Sequence, residues 1–273
     1  MKSLTGLGKK TLVMGILNIT PDSFSDGGLY YDKNSASLRA IQIEKDGADI
    51  LDIGGESTRP GSEPMSVENE VNRVIPIIRE LSKTLNIPIS IDTSKSQVAH
   101  LALECGASMV NDVTGLRGDS LMASVVAHHR VPVVIMHMKG NPRTMQVNPR
   151  YRNLIEEIMQ SLKDGIKIAK KAGIKKDKII IDPGIGFGKT TRHNLQILNR
   201  LSEFRKLGYP LLIGTSRKSF IGGVLDLPVG MRLFGTAATV AVAICNGADI
   251  VRVHDVQEMV QVSRMVDAIV RRE

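Results

Sequence analysis

The sequence predicts a single-domain α/β fold, a (β/α)8 TIM barrel. Three observations carry that expectation. Short, continuous apolar runs recur along the chain, each followed by a loop and a segment with helical periodicity. A helix-ending glycine device repeats ahead of several of these runs. The length, 273 residues, matches the roughly 250 residues that eight βα units occupy.

The apolar runs are Thr11–Leu17, Ile50–Ile53, Ile87–Ile91, Met109–Val113, Val131–Met136, Ile179–Ile181, Leu211–Ile213 and Ile250–Val253. Runs without polar alternation suit parallel strands buried on both faces. Helical patterns fall between them at Asn69–Leu85, Gln97–Glu104, Leu154–Ala172, Leu195–Leu207, Thr236–Asn246 and Glu258–Val270. This alternation reads as repeated βα units. The segment Asp46-Gly47-Ala48-Asp49-Ile50-Leu51 resembles Asn246-Gly247-Ala248-Asp249-Ile250-Val251, and Cys105-Gly106-Ala107-Ser108-Met109-Val110 repeats the device. A glycine in the left-handed conformation ends a helix, and the chain then turns into a strand. An open doubly wound sheet would usually hold fewer strands at this length. No Pro/Ser-rich linker or charge run divides the chain, so one domain is expected over residues 1–273, with no room for a fused partner domain.

Composition narrows the function classes. Hydrophobic residues are 42% and charged residues 23%, which is ordinary for a globular protein and wrong for disorder. The net charge of +8 is compatible with an anionic partner, whether nucleic acid, membrane surface or phosphorylated small molecule, and equally with a scattered solvated surface. Aromatic residues are only 3% and Trp is absent, which argues against a stacking platform for nucleic acid. Cys105 and Cys245 form no CxxC and have no nearby His in ligand spacing, so a disulfide scaffold or zinc finger is not expected and a reducing compartment is. Both sit at helix ends near a glycine and read as small core residues. The run ending in Asn18 leads into Thr20-Pro21-Asp22 and reads as a strand, not a signal peptide. No apolar stretch approaches the roughly 20 residues of a membrane span. A soluble cytoplasmic protein is expected.

Polar residues gather where the apolar runs end. They are Asn18; Asp52 with Glu56, Thr58 and Arg59; Asp92; Asn111 and Asp112; His137; Asp182; Arg217 and Lys218; and Arg252, His254 and Asp255. In a barrel these ends converge at one mouth. Asp92, Asn111 and Asp182 could read a flat heterocycle rich in N–H groups. Arg59, Lys218, Arg252 and His254 form a cationic zone suited to phosphate oxygens. The loop Gly214-Thr215-Ser216-Arg217-Lys218-Ser219 follows the seventh run, near where barrels commonly bind phosphate. Together these halves predict a heterocycle joined to a phosphate or pyrophosphate. For Asp52 and Asp112 a structural acceptor role is at least as good a reading, and His137 reads as a supporting residue behind the ligand shell. His100, His128, His129 and His193 read as surface or helix-end residues rather than ligands.

Two patterns are set aside. Gly184-Ile185-Gly186-Phe187-Gly188-Lys189-Thr190 looks like a P-loop, but Pro183 stands where the motif requires glycine. Asn18-Ile19-Thr20 is a formal glycosylation sequon followed by Pro21, with nothing to suggest secretion.

The segment Gly15-Ile16-Leu17-Asn18-Ile19-Thr20-Pro21-Asp22-Ser23-Phe24-Ser25-Asp26-Gly27-Gly28 resembles the first signature of the dihydropteroate synthase family. Asp52-Ile53-Gly54-Gly55-Glu56-Ser57-Thr58-Arg59-Pro60-Gly61 resembles the second. Shorter matches follow in family order at Ile91–Thr93, Asn111–Val113, Met136–Met138, Asp182–Lys189, Gly214–Ser219 and Arg252–Val256, so the likeness runs from about residue 13 to 256. One departure is visible: many members carry Glu where Met231 precedes Arg232.

The resemblance implies a (β/α)8 barrel that joins 7,8-dihydropterin-6-ylmethyl pyrophosphate to 4-aminobenzoate in folate synthesis. Magnesium would accompany the pyrophosphate, and the expected partners are these small molecules and a second copy of the chain in a homodimer. By position, the resemblance assigns Asp92, Asn111, Asp182 and Lys218 to the pterin ring, with Met136, Phe187 and Gly214 lining the pocket. It assigns Arg252 and His254 to the pyrophosphate and Asn18 to magnesium. Phe24, Asp26, Thr58 and Arg59 would lie on loops that close over the substrates, and Lys218, Ser219, Phe187 and Pro60 at the aminobenzoate site. The expected catalytic set is Asp92, Lys218, Arg252 and His254. An SN1-like order is implied, with pyrophosphate leaving before the arylamine attacks, and sulfonamides are expected to compete with 4-aminobenzoate. A pterin-dependent methyltransferase domain shares the barrel but needs no pyrophosphate site. A non-catalytic pterin-binding paralogue is the other alternative.

Overall fold

The computed structural model describes residues 4–19, 29–57 and 61–271, with side chains of the second segment from residue 34 onward. Strands and helices alternate as β1 (Leu12–Asn18), α1 (Leu29–Lys45), β2 (Ile50–Gly54), α2 (Val67–Thr84), β3 (Ile89–Asp92), α3 (Ser96–Glu104), β4 (Met109–Asp112) and α4 (Met122–His129). They continue as β5 (Val133–Met136), α5 (Leu154–Lys171), β6 (Ile179–Asp182), α6 (Thr191–Asn199), β7 (Leu212–Ile213), α7 (Ser219–Leu225), α8 (Leu233–Cys245), β8 (Ile250–Val253) and α9 (Val256–Val270). Each predicted apolar run holds one strand. The strands pair in parallel in the order β6-β5-β4-β3-β2-β1-β8-β7. A bridge between Ile181 and Leu211 joins the two ends of that order and closes the ring. The predicted TIM barrel is the observed fold.

Strand alternation builds two separate cores. Val13, Leu51, Ile91, Val110, Ile135, Ile181, Ile213 and Val251 point outward into a large apolar layer beneath the helices. Leu12, Met14, Ile50, Met109, Val134, Ile180, Leu212 and Ile250 form a second cluster inside the ring. Leu4 and Leu7, just ahead of β1, pack against this plug. The barrel is therefore a filled core and not a pore, and its polar contents lie above the plug.

Three helices begin with a side-chain cap. Ser66 accepts from the Asn69 N–H at the start of α2, and Asn153 does the same for α5. Thr190 and His193 form a reciprocal capping box on α6. Gly47, Gly106 and Gly247 all take positive φ, between 95° and 111°, so the repeated device ends α1, α3 and α8 as the sequence implies.

Two expectations are corrected. The helical pattern at Leu195–Leu207 is not one helix. α6 runs Thr191–Asn199, and a 3-10 segment, Leu201–Leu207, follows it. Leu201 and Phe204, three apart, are both fully buried, and the threefold repeat of a 3-10 helix keeps them on one face. Asn246 donates to the Leu198 carbonyl at 2.7 Å, so the break leaves that acceptor paired. Cys245 is exposed rather than a core residue, whereas Cys105 is half-buried. The first lies on the outer wall at the end of α8, where no further layer covers it. Among the described residues, no helix is long and apolar enough to cross a membrane.

Candidate active site

The period of two along each strand decides which polar residues meet. One step above the apolar plug, the inward positions are Asp52, Asp92, Asn111, Met136, Asp182, Gly214 and Arg252. Register links them laterally: Asn18 pairs with Gly54, Gly54 with Asp92, and Asp92 with Asn111. Met136 pairs with Asp182. Asp112, one residue beyond Asn111, points the other way. It accepts from the Thr114 and Leu116 N–H groups, each at 2.8 Å. Alternation thus separates the two aspartates for which structural roles were expected: Asp112 holds a loop, and Asp52 faces the interior.

The centre of the mouth is a three-residue ion pair. Arg252 Nε donates to Asp52 Oδ2 at 2.6 Å, and Nη2 donates to Asp92 Oδ2 at 2.7 Å. Asn111 Nδ2 also donates to Asp52 Oδ2, at 3.0 Å. Asp52 Oδ1 is buried with no hydrogen-bond partner among the described residues. Burial raises the Asp92 carboxyl to about 7 against the attraction of Arg252, and the Asp52 charge adds to the rise.

Across the mouth, Lys218 lies beside Asp182. Burial lowers the Lys218 ammonium to about 8, against the pull of Asp182. Its Nζ donates to the Ile185 carbonyl and sits 4.5 Å from the centre of the Phe187 ring. Burial raises the Asp182 carboxyl, opposed by the Gly184 N–H, which donates to Oδ1 at 2.7 Å. Gly184 has φ +72°, and a Cβ there would strike the His137 carbonyl, so this glycine lets the loop after β6 settle on the end of β5. His254 rests on Ser216, whose Oγ accepts from its N–H at 3.1 Å and lies 3.0 Å from its Nδ1. Ser219 is exposed at the start of α7.

The structure brings together Asn18, Asp92, Asn111, Met136, Asp182, Phe187, Gly214, Lys218, Arg252 and His254 at the strand C-termini. Phe24, Asp26, Thr58, Arg59 and Pro60 lie outside the described residues. Arg217, at the same loop, is tied to Asp255 by an ion pair. Met231 is exposed on a short 3-10 turn, Val229–Met231, and Arg232 donates to the Leu227 and Arg217 carbonyls.

Two cations, one half-buried and one buried, escaped the sequence reading. Lys95 donates to Glu56 Oε2 and Glu70 Oε2, both at 2.6 Å. Burial opposes its charge, but those hydrogen bonds outweigh it and hold the ammonium above its usual range. Lys189 is 2% exposed, with Nζ 2.8 Å from His137 Nδ1 and donating to the Phe187 carbonyl at 3.0 Å. Burial pushes Lys189 well down and pushes His137 down as well. Lys189 was legible only as the last lysine of a failed P-loop. Its contact with the Phe187 carbonyl gives it a packing role for the loop that carries Phe187.

A mouth of this kind, inward carboxylates and an amide over a closed plug with cations opposite, defines a barrel that takes a polar heterocycle. The family described as "Pterin binding enzyme" matches residues 14–254. The dihydropteroate synthase of Bacillus subtilis (strain 168) is 50% identical over 264 residues, spanning 97% of this chain and 90% of the relative. A crystal structure of the Clostridium difficile dihydropteroate synthase, obtained in the presence of pteroic acid, superposes with a TM-score of 0.93 at 49% identity, covering 97% of this chain and 99% of that one. The Xanthomonas albilineans dihydropteroate synthase with 4-aminobenzoic acid gives a TM-score of 0.90 at 40% identity, with 97% of each chain covered. The chain belongs to the dihydropteroate synthase family, transferases built on the pterin-binding barrel.

The ion-pair geometry sets one expected outcome. The Asp52 charge raises the Asp92 carboxyl, so Asp52→Asn lowers the Asp92 pKa below about 7. Carbon-13 NMR titration of the Asp92 carboxyl checks this, and an unchanged or higher midpoint contradicts the assigned coupling.

Proposed function

We propose that this chain condenses 7,8-dihydropterin-6-ylmethyl pyrophosphate with 4-aminobenzoate, giving 7,8-dihydropteroate and pyrophosphate, and that residues 1–273 act as one catalytic domain. The observation that carries this reading is the inward ring of Asp92, Asn111, Asp182 and Arg252 above the closed plug. A flat ring lying on Val134, Ile180 and Met109 would meet acceptors at its edge. Asp92, Asn111 and Asp182 face that edge, Lys218 and Gly214 flank it, and Met136 and Phe187 supply apolar walls.

The bond that breaks joins the pterin methylene carbon to a pyrophosphate oxygen, and its electron pair leaves with pyrophosphate. Charge gathering on the leaving group is met by Arg252 and His254 in a site where low dielectric strengthens each contact. Positive charge left on the methylene spreads into the electron-rich ring, and the Asp92 and Asp182 carboxylates stabilise it. The arylamine nitrogen then bonds to the methylene and loses a proton. No enzyme nucleophile is required. The aminobenzoate would sit between Phe187, Pro60, Lys218 and Ser219, with Phe24, Asp26, Thr58 and Arg59 closing the mouth.

Magnesium suits the same mouth. A Cβ built on Gly54 would lie 3.7 Å from both Asn18 Oδ1 and Asp92 Oδ2, so the glycine leaves two hard oxygens facing one gap. Asn18 would hold the ion, whose charge offsets that of the pyrophosphate oxygens. The site of action is the cytoplasm, where the free thiols of Cys105 and Cys245 stay reduced. A homodimer would form across the apolar wall carrying Val224, Leu225, Val229 and Phe234, the last 84% exposed.

With Mg²⁺ and both substrates, purified protein is expected to release pyrophosphate and form dihydropteroate together; absence of both products overturns the assignment. Arg252→Ala should weaken the pterin pyrophosphate by about 10- to 100-fold, while bare pterin is weakened much less. Asp182→Asn should weaken both by that factor. Calorimetric titration separates the two variants, and equal losses in both would contradict the division of roles.

A carboxylate at Asp92 and an ammonium at Lys218 coexist best between about pH 7 and about pH 8. The profile of kcat/KM is therefore expected to be bell-shaped, rising through the first value and falling through the second. Lys218→Arg, whose cation does not titrate in this range, should lose the alkaline limb even where overall activity drops. A limb that survives the replacement assigns it to another group. For the dimer, Phe234→Asp should sediment as a monomer under conditions where the parent chain sediments at twice its mass.

A further inference from the structure

Two helices on the outer wall bring two histidines and a glutamate to one point. His100 and Glu104 stand four residues apart on α3, so they share a helix face. His129 is the last residue of α4, the neighbouring helix. His100 Nδ1 lies 3.0 Å from His129 Nε2. The same Nε2 lies 3.7 Å from Glu104 Oε1. One ligating atom from each residue falls within 4.8 Å of the others.

These separations are those of a ligand set. Two nitrogens bound to one tetrahedral zinc ion at the usual bond lengths lie about 3.3 Å apart. The observed 3.0 and 3.7 Å bracket that value, and all three donors lie within 4.8 Å of one another, so small side-chain rotations would bring them onto one ion. We propose that His100, Glu104 and His129 form a second metal site, for zinc or a similar late first-row divalent cation.

Donor chemistry separates this site from the mouth. Two imidazoles and one carboxylate favour zinc, nickel or copper, whereas magnesium prefers oxygen donors throughout. Position separates it too. Helices of a βα barrel run back from the mouth; Glu104 and His129 are the last residues of α3 and α4, and His100 lies one turn before Glu104. His100 and Glu104 are exposed, which gives an ion free entry and leaves coordination positions for water. The site cannot touch the reacting atoms. Its effect is to clamp α3 to α4, and binding to the folded chain alone raises stability by mass action.

The test uses the full-length chain stripped with EDTA and zinc chloride as the probe. Calorimetry is expected to give one zinc ion per chain at this site. His100→Ala and His129→Gln should each weaken binding at least tenfold, and Glu104→Gln should weaken it measurably. Asn18→Ala, at the mouth, should leave the isotherm unchanged. With zinc at a hundredfold over its Kd, the melting temperature should rise by about 5 °C, and the His129→Gln variant should lose that rise. Turnover by the His129→Gln variant should match that of the parent chain. Circular dichroism of each variant establishes that it is folded. His128, whose ring meets that of His129 edge-on with centroids 5.1 Å apart, supplies the control. Three results overturn the proposal: parent-chain affinity weaker than millimolar, binding unaltered by both histidine changes, or loss caused by His128→Ala or Asn18→Ala in their place.

Discussion

The mouth depends on one guanidinium. Arg252 reaches from β8 across the inside of the ring to carboxylates on β2 and β3. Burial and the Asp52 charge both raise the Asp92 carboxyl, and Arg252, bonded to both side chains, opposes that rise. Arg252 has no neutral form in practice, and its fork offers two donors in one plane, so it satisfies both partners at once. A lysine at the same place would supply the charge but not the fixed geometry. The bridge holds β8, β2 and β3 at the level where the apolar plug ends, and Asn111 extends it to β4.

That bridge exists because of strand alternation. Arg252 is two residues beyond Ile250, Asp52 two beyond Ile50, Asn111 two beyond Met109 and Asp182 two beyond Ile180. In each pair the first residue belongs to the plug and the second to the mouth. A slip of one residue in any strand would send its polar side chain into the helix-facing layer and an aliphatic one into the ring. The plug sets the register, and the register sets the site.

The same rule explains what could be read from the chain. The strands stood out because both faces are buried, so each is a continuous apolar run. The site residues stood out because each run ends in a polar group that has no reason to be there unless the runs converge. Partners were not legible. Nothing in the spacing says that Arg252 meets Asp52, 200 residues earlier, or that Lys95 joins Glu56 to Glu70, because those contacts depend on side chains meeting across the mouth. The 3-10 turn after α6 was hidden for a different reason: Leu201 and Phe204 satisfy an α-helical spacing and a 3-10 spacing equally well. Cys245 was misread because a small apolar residue near a helix-ending glycine carries no sign of which face of the helix it occupies. His100 and His128 are exposed and His129, the last residue of α4, is half-buried; their convergence lies between helices and leaves no trace in either one.

The charge state of the mouth follows from its dryness. Burial is the largest influence on Asp92, Asp182 and Lys218, and in each it opposes the charged form. Such a mouth costs the fold stability. A carboxyl whose folded pKa lies above its unfolded value stabilises the fold fully at low pH, and that contribution is lost as pH rises from 3.8 through about 7. At neutral pH and above, the fold therefore carries a cost at Asp92 that Arg252 only partly offsets. A ligand bringing N–H donors to the ring edge would relieve it, and a cation developing beside the three carboxylates would relieve it further. On the mechanism proposed above, the buried carboxylates that cost the fold stability would be the groups that stabilise the developing cation.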